Sequence, residues 1–429
     1  MKILKYSDSE FYKEFYKLAN RGEMDMSEVM PKVASIIDEI RKDGDKALCE
    51  QIARFDAWQP KSGAELKIST DEMKEAFNSI SPELKNALQT AFDRIRLYHE
   101  KQIEKSWMSF EQNGEVLGQK ITPVDRAGLY IPGGKAAYPS SLLMNATPAI
   151  VAGVSDISVC TPAIKGEVNS LLLAAMHLLG IKKAYKVGGA SAVAAMAYGT
   201  KTINKVDVIT GPGNIYVATA KKMVFGDVNI DMIAGPSEIG VIADKSANAH
   251  NIAVDLLSQA EHDEIASSFL ITFDESVAMA IKAEIEAVLP SLKRKEIAGK
   301  SIENKAAIII AKDKEQAIEL MNALAVEHLE IATDDAWEYL ARIKHAGAIF
   351  LGHYTPEAVG DYLAGPNHTL PTGGTARFFS PLGVNNFVKR SSIISMNESS
   401  LRDLSAACMA LARAEGLGAH ELSVKVRQK

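Results

Sequence analysis

Four of the nine histidines in this 429-residue chain fall in short polar segments: Gln259-Ala-Glu-His262-Asp263, Glu327-His328, Gly365-Pro-Asn-His368 and Gly418-Ala-His420. Imidazole near carboxylate suits two kinds of chemistry. The neutral ring lends a lone pair to a divalent metal, and the ring exchanges a proton near neutral pH. Gln259 and His262 are spaced i, i+3 at the end of an apolar helical pattern, which places both on one face. That spacing alone is also common on a solvated helix face. A metal needs further donors, and Asp361, His368 and His420 lie in stretches suited to supply them. Glu327 and His328 open a strand-like run, 329–332, and a strand end can face the crevice where α/β proteins bind ligands. Strand neighbours point to opposite faces, so the two share a site only if the backbone turns there. The bland alternative is a capped loop.

Three glycine turns carry a second chemical signal: Ile131-Pro-Gly-Gly134, Val187-Gly-Gly-Ala190 and Gly211-Pro-Gly-Asn214. The last lies between a strand-like run, 206–210, and a helical one, 215–224, where backbone amides at a helix N-terminus can receive a phosphate. None is a Gly-x-Gly-x-x-Gly fingerprint, and each alone reads as a plain turn. Three at strand ends in one part of the chain point to a nucleotide.

The elements that must hold these groups follow from periodicity. Residues 27–103 read as helices, with Ser27 as a first cap and Ser81-Pro82 opening the helix 82–103. From 120 the pattern alternates strand-like runs (156–160, 184–187, 206–210, 238–243) with apolar helices such as 169–179 and 191–198. A second block has strand-like runs at 268–273, 306–311, 328–332 and 348–351. Two similar α/β domains with parallel sheets are predicted, with helix 247–263 crossing between them. Residues 353–377 form a Gly/Pro/Thr-rich loop of the kind that carries function. The helix 399–415 and the tail after it are too small to fold alone and must pack on something, a partner subunit being one candidate.

With 47% hydrophobic residues the chain can bury the cores of at least two domains. A net charge of −6 with dispersed Lys and Arg argues against a nucleic-acid surface. No run approaches the roughly 20 apolar residues of a membrane span, and the opening residues lack the apolar stretch of a secretory signal, so a cytoplasmic location is expected. Cys49, Cys160 and Cys408 are far apart and expected to be reduced. Cys160, in a core strand, is given no catalytic role.

Taken together, these motifs resemble those of histidinol dehydrogenases, the zinc- and NAD-dependent enzymes of the last two steps of histidine biosynthesis. The resemblance runs through Gly128-Leu-Tyr-Ile-Pro-Gly-Gly134, Tyr138-Pro-Ser-Ser-Leu-Leu-Met-Asn145, Gly211-Pro-Gly-Asn-Ile-Tyr-Val217, Ala234-Gly-Pro-Ser-Glu238, Asp255-Leu-Leu-Ser-Gln-Ala-Glu-His-Asp263 and Glu327-His-Leu-Glu-Ile331. It continues through Gly365-Pro-Asn-His-Thr-Leu-Pro-Thr372, Phe387-Val-Lys-Arg-Ser-Ser392 and Glu415-Gly-Leu-Gly-Ala-His420. It implies one Zn2+ per subunit on Gln259, His262, Asp361 and His420, and an acid–base pair in Glu327 and His328. Ser237, His368 and Glu415 would join the metal ligands and His328 in binding substrate, and Tyr130 and Asn214 would touch NAD+. The implied reaction oxidises L-histidinol through L-histidinal to L-histidine with two NAD+ reduced. The implied assembly is a homodimer in which Glu415 and His420 serve a neighbour's site.

The expected fold is α/β: two similar incomplete Rossmann-like parallel-sheet domains with helical N-terminal and C-terminal segments. The limits are 1–26 for an N-terminal segment, 27–125 with 247–380 for the first domain, 126–246 for the second, cofactor-side domain, and 381–429 for the C-terminal segment. Two residues depart from the family pattern. Ser191 stands where glutamine is usual, and Val326 where proline is common, bearing on cofactor affinity and on the turn before Glu327. Competing readings are a dehydrogenase of the same family acting on another small alcohol such as a sulfonated diol, a zinc-dependent hydrolase using Glu327 on metal-bound water, and a non-catalytic metal-dependent binding protein.

Overall fold

The computed structural model describes residues 1–22, 25–133 and 138–428, so Gly134 of the first glycine turn lies outside the described residues. Two six-stranded sheets dominate. Sheet one has the order Lys67–Ile68, Lys183–Lys186, Asp156–Thr161, Arg126–Tyr130, Val208–Thr210, Asn229–Ile230, parallel except at its antiparallel Lys67–Ile68 edge. Sheet two is parallel throughout, in the order Lys2–Lys5, Ala307–Ile310, Ser267–Thr272, Glu238–Ala243, His328–Ala332, Ala348–Leu351. Apart from the edge strands Lys67–Ile68 and Lys2–Lys5, which come first in the chain, each sheet starts in its middle, winds outward through two strands and returns on the other side of the strand it started from. The strand order therefore reverses between Arg126–Tyr130 and Val208–Thr210 in one sheet and between Glu238–Ala243 and His328–Ala332 in the other.

Parallel strands need helical crossovers, which cover both faces, so Glu238–Ala243, Ser267–Thr272 and His328–Ala332 are buried along their whole length. This explains their near-continuous apolar sequence. Apolar clusters lie on both faces of each sheet, one of them joining Val33, Ile36, Ile40 and Leu48 to Tyr130, Val187 and Ile209. No helix among the described residues is long and apolar enough to cross a membrane.

The α/β class is as expected, but several elements differ from the sequence reading. Helices between 27 and 103 pack on sheet one, the sheet of the glycine turns, although Pro82–Glu100 also meets 363–367, where Arg94 donates to the Leu363 and Ala364 carbonyls and His99 meets Asn367. Glu238–Ala243 pairs in sheet two, although 126–246 was expected to hold together. Lys2–Lys5, within the expected N-terminal segment, is an edge strand of sheet two beside Ala307–Ile310. Helix Ala249–Ala260 does not cross between the sheets. Its Ile252, Ala253, Leu256 and Leu257 are buried against Ile239, Val241 and Leu270 of sheet two, and the crossing is instead made by the extended segment 231–237. Ser27 caps no helix, because Met30–Asp43 begins later with Pro31 in its first turn, whereas Ser81 caps Pro82–Glu100 through the Leu84 amide at 3.2 Å.

A three-stranded antiparallel sheet, Val388–Ser395 beside Val116–Pro123 beside Trp107–Phe110, leads to the C-terminal helices Glu398–Ala414 and Gly418–Lys425. Its strands were missed in the sequence because they are half-exposed on both sides and lack a clean alternation of apolar and polar residues.

Candidate active site

Glu327 and His328 are both buried and share one site. Helix Lys314–Leu324 ends on Ala325, which adopts a left-handed φ of 48° that turns the chain sharply before Val326. The strand starts at His328, so Glu327 still belongs to the turn and is not bound by strand alternation. The backbone of Glu238, on the neighbouring strand, holds both side chains. Its amide donates to Glu327 Oε2 at 2.9 Å, and its carbonyl lies 3.0 Å from His328 Nδ1. A carbonyl only accepts, so Nδ1 carries the proton and the basic lone pair of the neutral ring sits on Nε2. That Nε2 is buried without a hydrogen-bond partner and faces Asp361 Oδ1 at 3.5 Å. Arg21 in turn fixes the Glu238 carboxylate with two parallel contacts of 2.7 Å, from Nε and Nη2.

The donors suited to a cation gather on the Nε2 side. Asp361 lies on the short helix Glu357–Tyr362, not in an irregular loop as its polar surroundings implied. Its Oδ1 is 3.8 Å from His368 Nδ1, and its backbone carbonyl is 3.0 Å from the same nitrogen. Gln259 is in the last turn of Ala249–Ala260, while His262 lies just past the helix end. The pair nevertheless meets, with Gln259 Nε2 3.1 Å from His262 Nδ1. Gln259 Oε1 is buried with no hydrogen-bond donor, an amide oxygen in the state that a cation would satisfy. With imidazole, carboxylate and amide oxygen side by side, the residues fit a zinc ion.

Glu357 is a residue the sequence reading missed. It is buried, its Oε1 is 3.6 Å from His328 Nδ1, and its Oε2 has no partner. One potential ligand atom from each of His328, Glu357 and Asp361 lies within 4.8 Å of the others. The i, i+4 spacing of Glu357 and Asp361 after Pro356 was the available signal.

Electrostatics tie the group together. Burial pushes Glu327 and Glu357 up to about 8, against the pull of His328. For His328 burial is the largest influence and opposes the charge, but Glu357, Glu327 and Asp361 together raise its pKa well above the ordinary value. His262 and His368 are shifted down, mainly by desolvation, although His262 keeps one side open to solvent. In each raised group the folded chain holds a proton that the unfolded chain has released. The associated stability is complete below the unfolded pKa and is lost as pH climbs through the folded one. The two lowered histidines are neutral in both states above about pH 7 and add nothing there. Chelator-treated protein is therefore expected to melt about a few degrees lower at pH 9 than at pH 7. Thermal unfolding checks this, and a melting temperature that is flat or rising across that range would contradict it.

Glu415 and His420 are exposed on the C-terminal helices and share no hydrogen bond or ion pair with the cluster. Ser237 sits immediately before Glu238, at the edge of the site. Cys160 is buried, its thiol pushed up to about 12 by desolvation, which fits its lack of a catalytic role.

The glycine turns lie together at the carboxyl ends of the parallel strands of sheet one. A Cβ on Gly188 would come 2.6 Å from Pro162, one on Gly133 would come 3.0 Å from the same proline, and one on Gly211 would come 1.9 Å from the Tyr130 carbonyl oxygen. Tyr130 and Gly211 flank the point where the strand order reverses, the position at which open α/β sheets take their ligands. The Tyr130 hydroxyl accepts from the Gly189 amide at 3.3 Å. Asn214 caps helix Ile215–Val224 through the amides of Tyr216 and Val217. Those amides are thus satisfied by the chain itself, so a ligand there meets the Asn214 side chain rather than a bare helix end. Ser191 is buried in the first turns of Gly189–Tyr198. In sheet two the acid–base pair sits at the amino ends of the strands, the opposite edge from the crevice that the sequence reading invoked.

A ligand crevice at the reversal of one sheet, with a buried acid–base pair and a cation-suited cluster on the other, defines an α/β enzyme of the metal- and nucleotide-using class. The histidinol dehydrogenase family model matches residues 19–428. The chain is 62% identical over 420 residues to the histidinol dehydrogenase of Sulfurimonas denitrificans, covering 98% of each, and 60% identical over 427 residues to that of Wolinella succinogenes, covering 100% and 99%. The crystal structure of the histidinol dehydrogenase from Elizabethkingia anophelis superposes with a TM-score of 0.94 at 35% identity, covering 100% of this chain and 98% of that one. The chain belongs to the histidinol dehydrogenase family. Its members are NAD-dependent oxidoreductases of histidine biosynthesis that use zinc.

Proposed function

We propose that this chain oxidises L-histidinol through L-histidinal to L-histidine, with the roles of its residues set by the geometry around Glu238. Gln259, His262 and Asp361 hold the zinc, completed by the partner subunit's His420. When bound, zinc fixes the substrate's imidazole and amine, and NAD+ accepts the two hydrides. His328 Nε2 takes the alcohol proton as the carbon is oxidised. Glu327 then draws a proton from water, which attacks the aldehyde, and His328 assists the second oxidation. Ser237, His368 and the partner's Glu415 line the substrate pocket, while Tyr130 and Asn214 lie along the cofactor.

The observation that carries this reading is the double grip of the Glu238 backbone, which commits His328 Nδ1 and leaves Nε2, facing Asp361, as the ring nitrogen able to exchange a proton with substrate. Counting NADH against L-histidinol consumed tests it. Two NADH per molecule are expected, and no NADH from L-histidinol but steady turnover of another small alcohol would replace the substrate assignment.

The dimer reading is supported by apolar side chains that are all more than half exposed, Trp107, Phe110 and Ile394 on the three-stranded sheet and Leu411, Leu422 and Val426 on the C-terminal helices. Apolar surface of that extent calls for a covering partner. A second copy would bring His420, which is exposed on its own chain, to the cluster.

Gly211 allows a sharper test on the cofactor side. Its φ of +121° and the 1.9 Å approach to the Tyr130 carbonyl leave no room for a methyl group. Gly211→Ala is expected to lose at least about 2 kcal/mol of stability and to raise the KM for NAD+ about tenfold or more, with less change for histidinol. Steady-state kinetics with each substrate varied in turn checks the split, and equal changes in both KM values would contradict it.

A further inference from the structure

The chain crosses from sheet one to sheet two through the segment 231–238, which has no regular secondary structure before Glu238. Backbone hydrogen bonds fix its ends, the Asp231 amide donating to the Ile209 carbonyl at 3.2 Å and the Ser237 carbonyl accepting from the Ser267 amide at 3.0 Å. Beside each of them stands an ion pair, fully buried at the first end and largely buried at the second. At the cofactor end Lys221 pairs with Asp231, and both side chains are almost fully buried. Lys221 Nζ also donates to the Gly211 carbonyl at 2.9 Å, and Asp231 Oδ2 accepts from the Gly211 amide at 2.8 Å. The pair therefore grips both polar groups of the residue that opens the cofactor turn. At the catalytic end Arg21 pairs with Glu238, whose backbone holds Glu327 and His328. Between the ends, the Gly235 amide donates to Thr372 Oγ1 at 2.5 Å, in the loop that carries His368.

We propose that 231–238 is a positioning strap: the two ion pairs clamp it so that the cofactor turn and the acid–base pair keep one fixed separation. Lys221, Asp231 and Arg21 are on this view positioning residues, acting through Gly211 and through the Glu238 backbone. The proposal rests on the assignment of the Gly211–Asn214 turn to NAD+ and of Glu327 and His328 to catalysis. Buried ion pairs are expensive relative to apolar packing of the same shape, and replacing both partners together avoids stranding a charge. What the pairs contribute is direction, and hydride transfer is sensitive to displacements on the order of 1 Å, worth up to about 10² in rate.

The test uses full-length, zinc-loaded enzyme with Lys221→Met/Asp231→Leu, with Arg21→Met/Glu238→Gln, and with all four substitutions. Each pair alone is expected to lower kcat about tenfold with zinc content unchanged. Releasing either end frees the same segment, so the fourfold variant should lose little more than one pair does rather than the product of the two losses. Multiplying losses, or a kcat within twofold of the unsubstituted enzyme for either pair, would overturn the strap. Where a pair variant does not fold, Arg21→Lys and Lys221→Met/Asp231→Asn, the latter keeping an acceptor for the Gly211 amide, give the same comparison. Glu327→Gln and Asn214→Ala are run alongside. If these leave turnover and NAD+ affinity unchanged, the assignment of the two ends has failed, and the strap fails with it.

Discussion

Replacing His328 with Asn should slow turnover of L-histidinol by about 10² to 10⁴, the usual worth of a general base, while zinc content stays at the unsubstituted level. The expectation is specific because the two ring nitrogens are already divided in role. Nδ1 is committed to the Glu238 carbonyl at 3.0 Å, and an asparagine amide can keep that donation. Nε2, facing Asp361 at 3.5 Å, has no counterpart in asparagine. The substitution therefore removes the base but leaves the turn, the Glu327 contact to the Glu238 amide and the cation donors in place. The pH dependence of kcat should lose the limb that reports this ring. Loss of zinc in the variant would instead make His328 a ligand and force the cluster to be redrawn around His328, Glu357 and Asp361.

The second large effect is on the metal. His262→Asn should strip zinc from the protein on dialysis, with kcat falling in proportion to the metal lost. His262 is open to solvent and contributes little to packing, so the change should cost little stability beyond that of the ion. Its nearest polar partner, Gln259, would keep its place in the helix but lose the ring at 3.1 Å. Elemental analysis against protein concentration reads the outcome directly. Full zinc occupancy in a folded variant would remove His262 from the ligand set.

How much of this was legible beforehand depends on the kind of signal. The two strand–helix blocks were legible because central parallel strands are apolar throughout and helical crossovers have their own period. The three-stranded sheet was not, because Trp107–Phe110 and Val388–Ser395 are exposed on both sides and are defined by pairing across the chain. The polar histidine segments exposed most of the site, yet sequence could not show that Glu238 holds it together, since the Glu238 contacts to Glu327 and His328 come from its backbone. Arg21 was equally hidden, being distant in sequence from the carboxylate that it grips. Strand alternation warned against joining Glu327 and His328. The left-handed Ala325 removes the objection by placing Glu327 in the turn, a conformation that sequence does not announce for alanine.

The central claim is that one chain's Gln259, His262, Asp361 and His328 form a working site only with His420 from a second chain. Mixing resolves it. Purified His328→Asn and His420→Asn enzymes, each nearly inactive, are allowed to exchange subunits. A mixed dimer then contains one site with both defects and one with neither. Activity recovering to about a quarter of the unsubstituted level after statistical exchange is the predicted result. Exchange verified by mass, with activity no higher than that of the two parents, would contradict it.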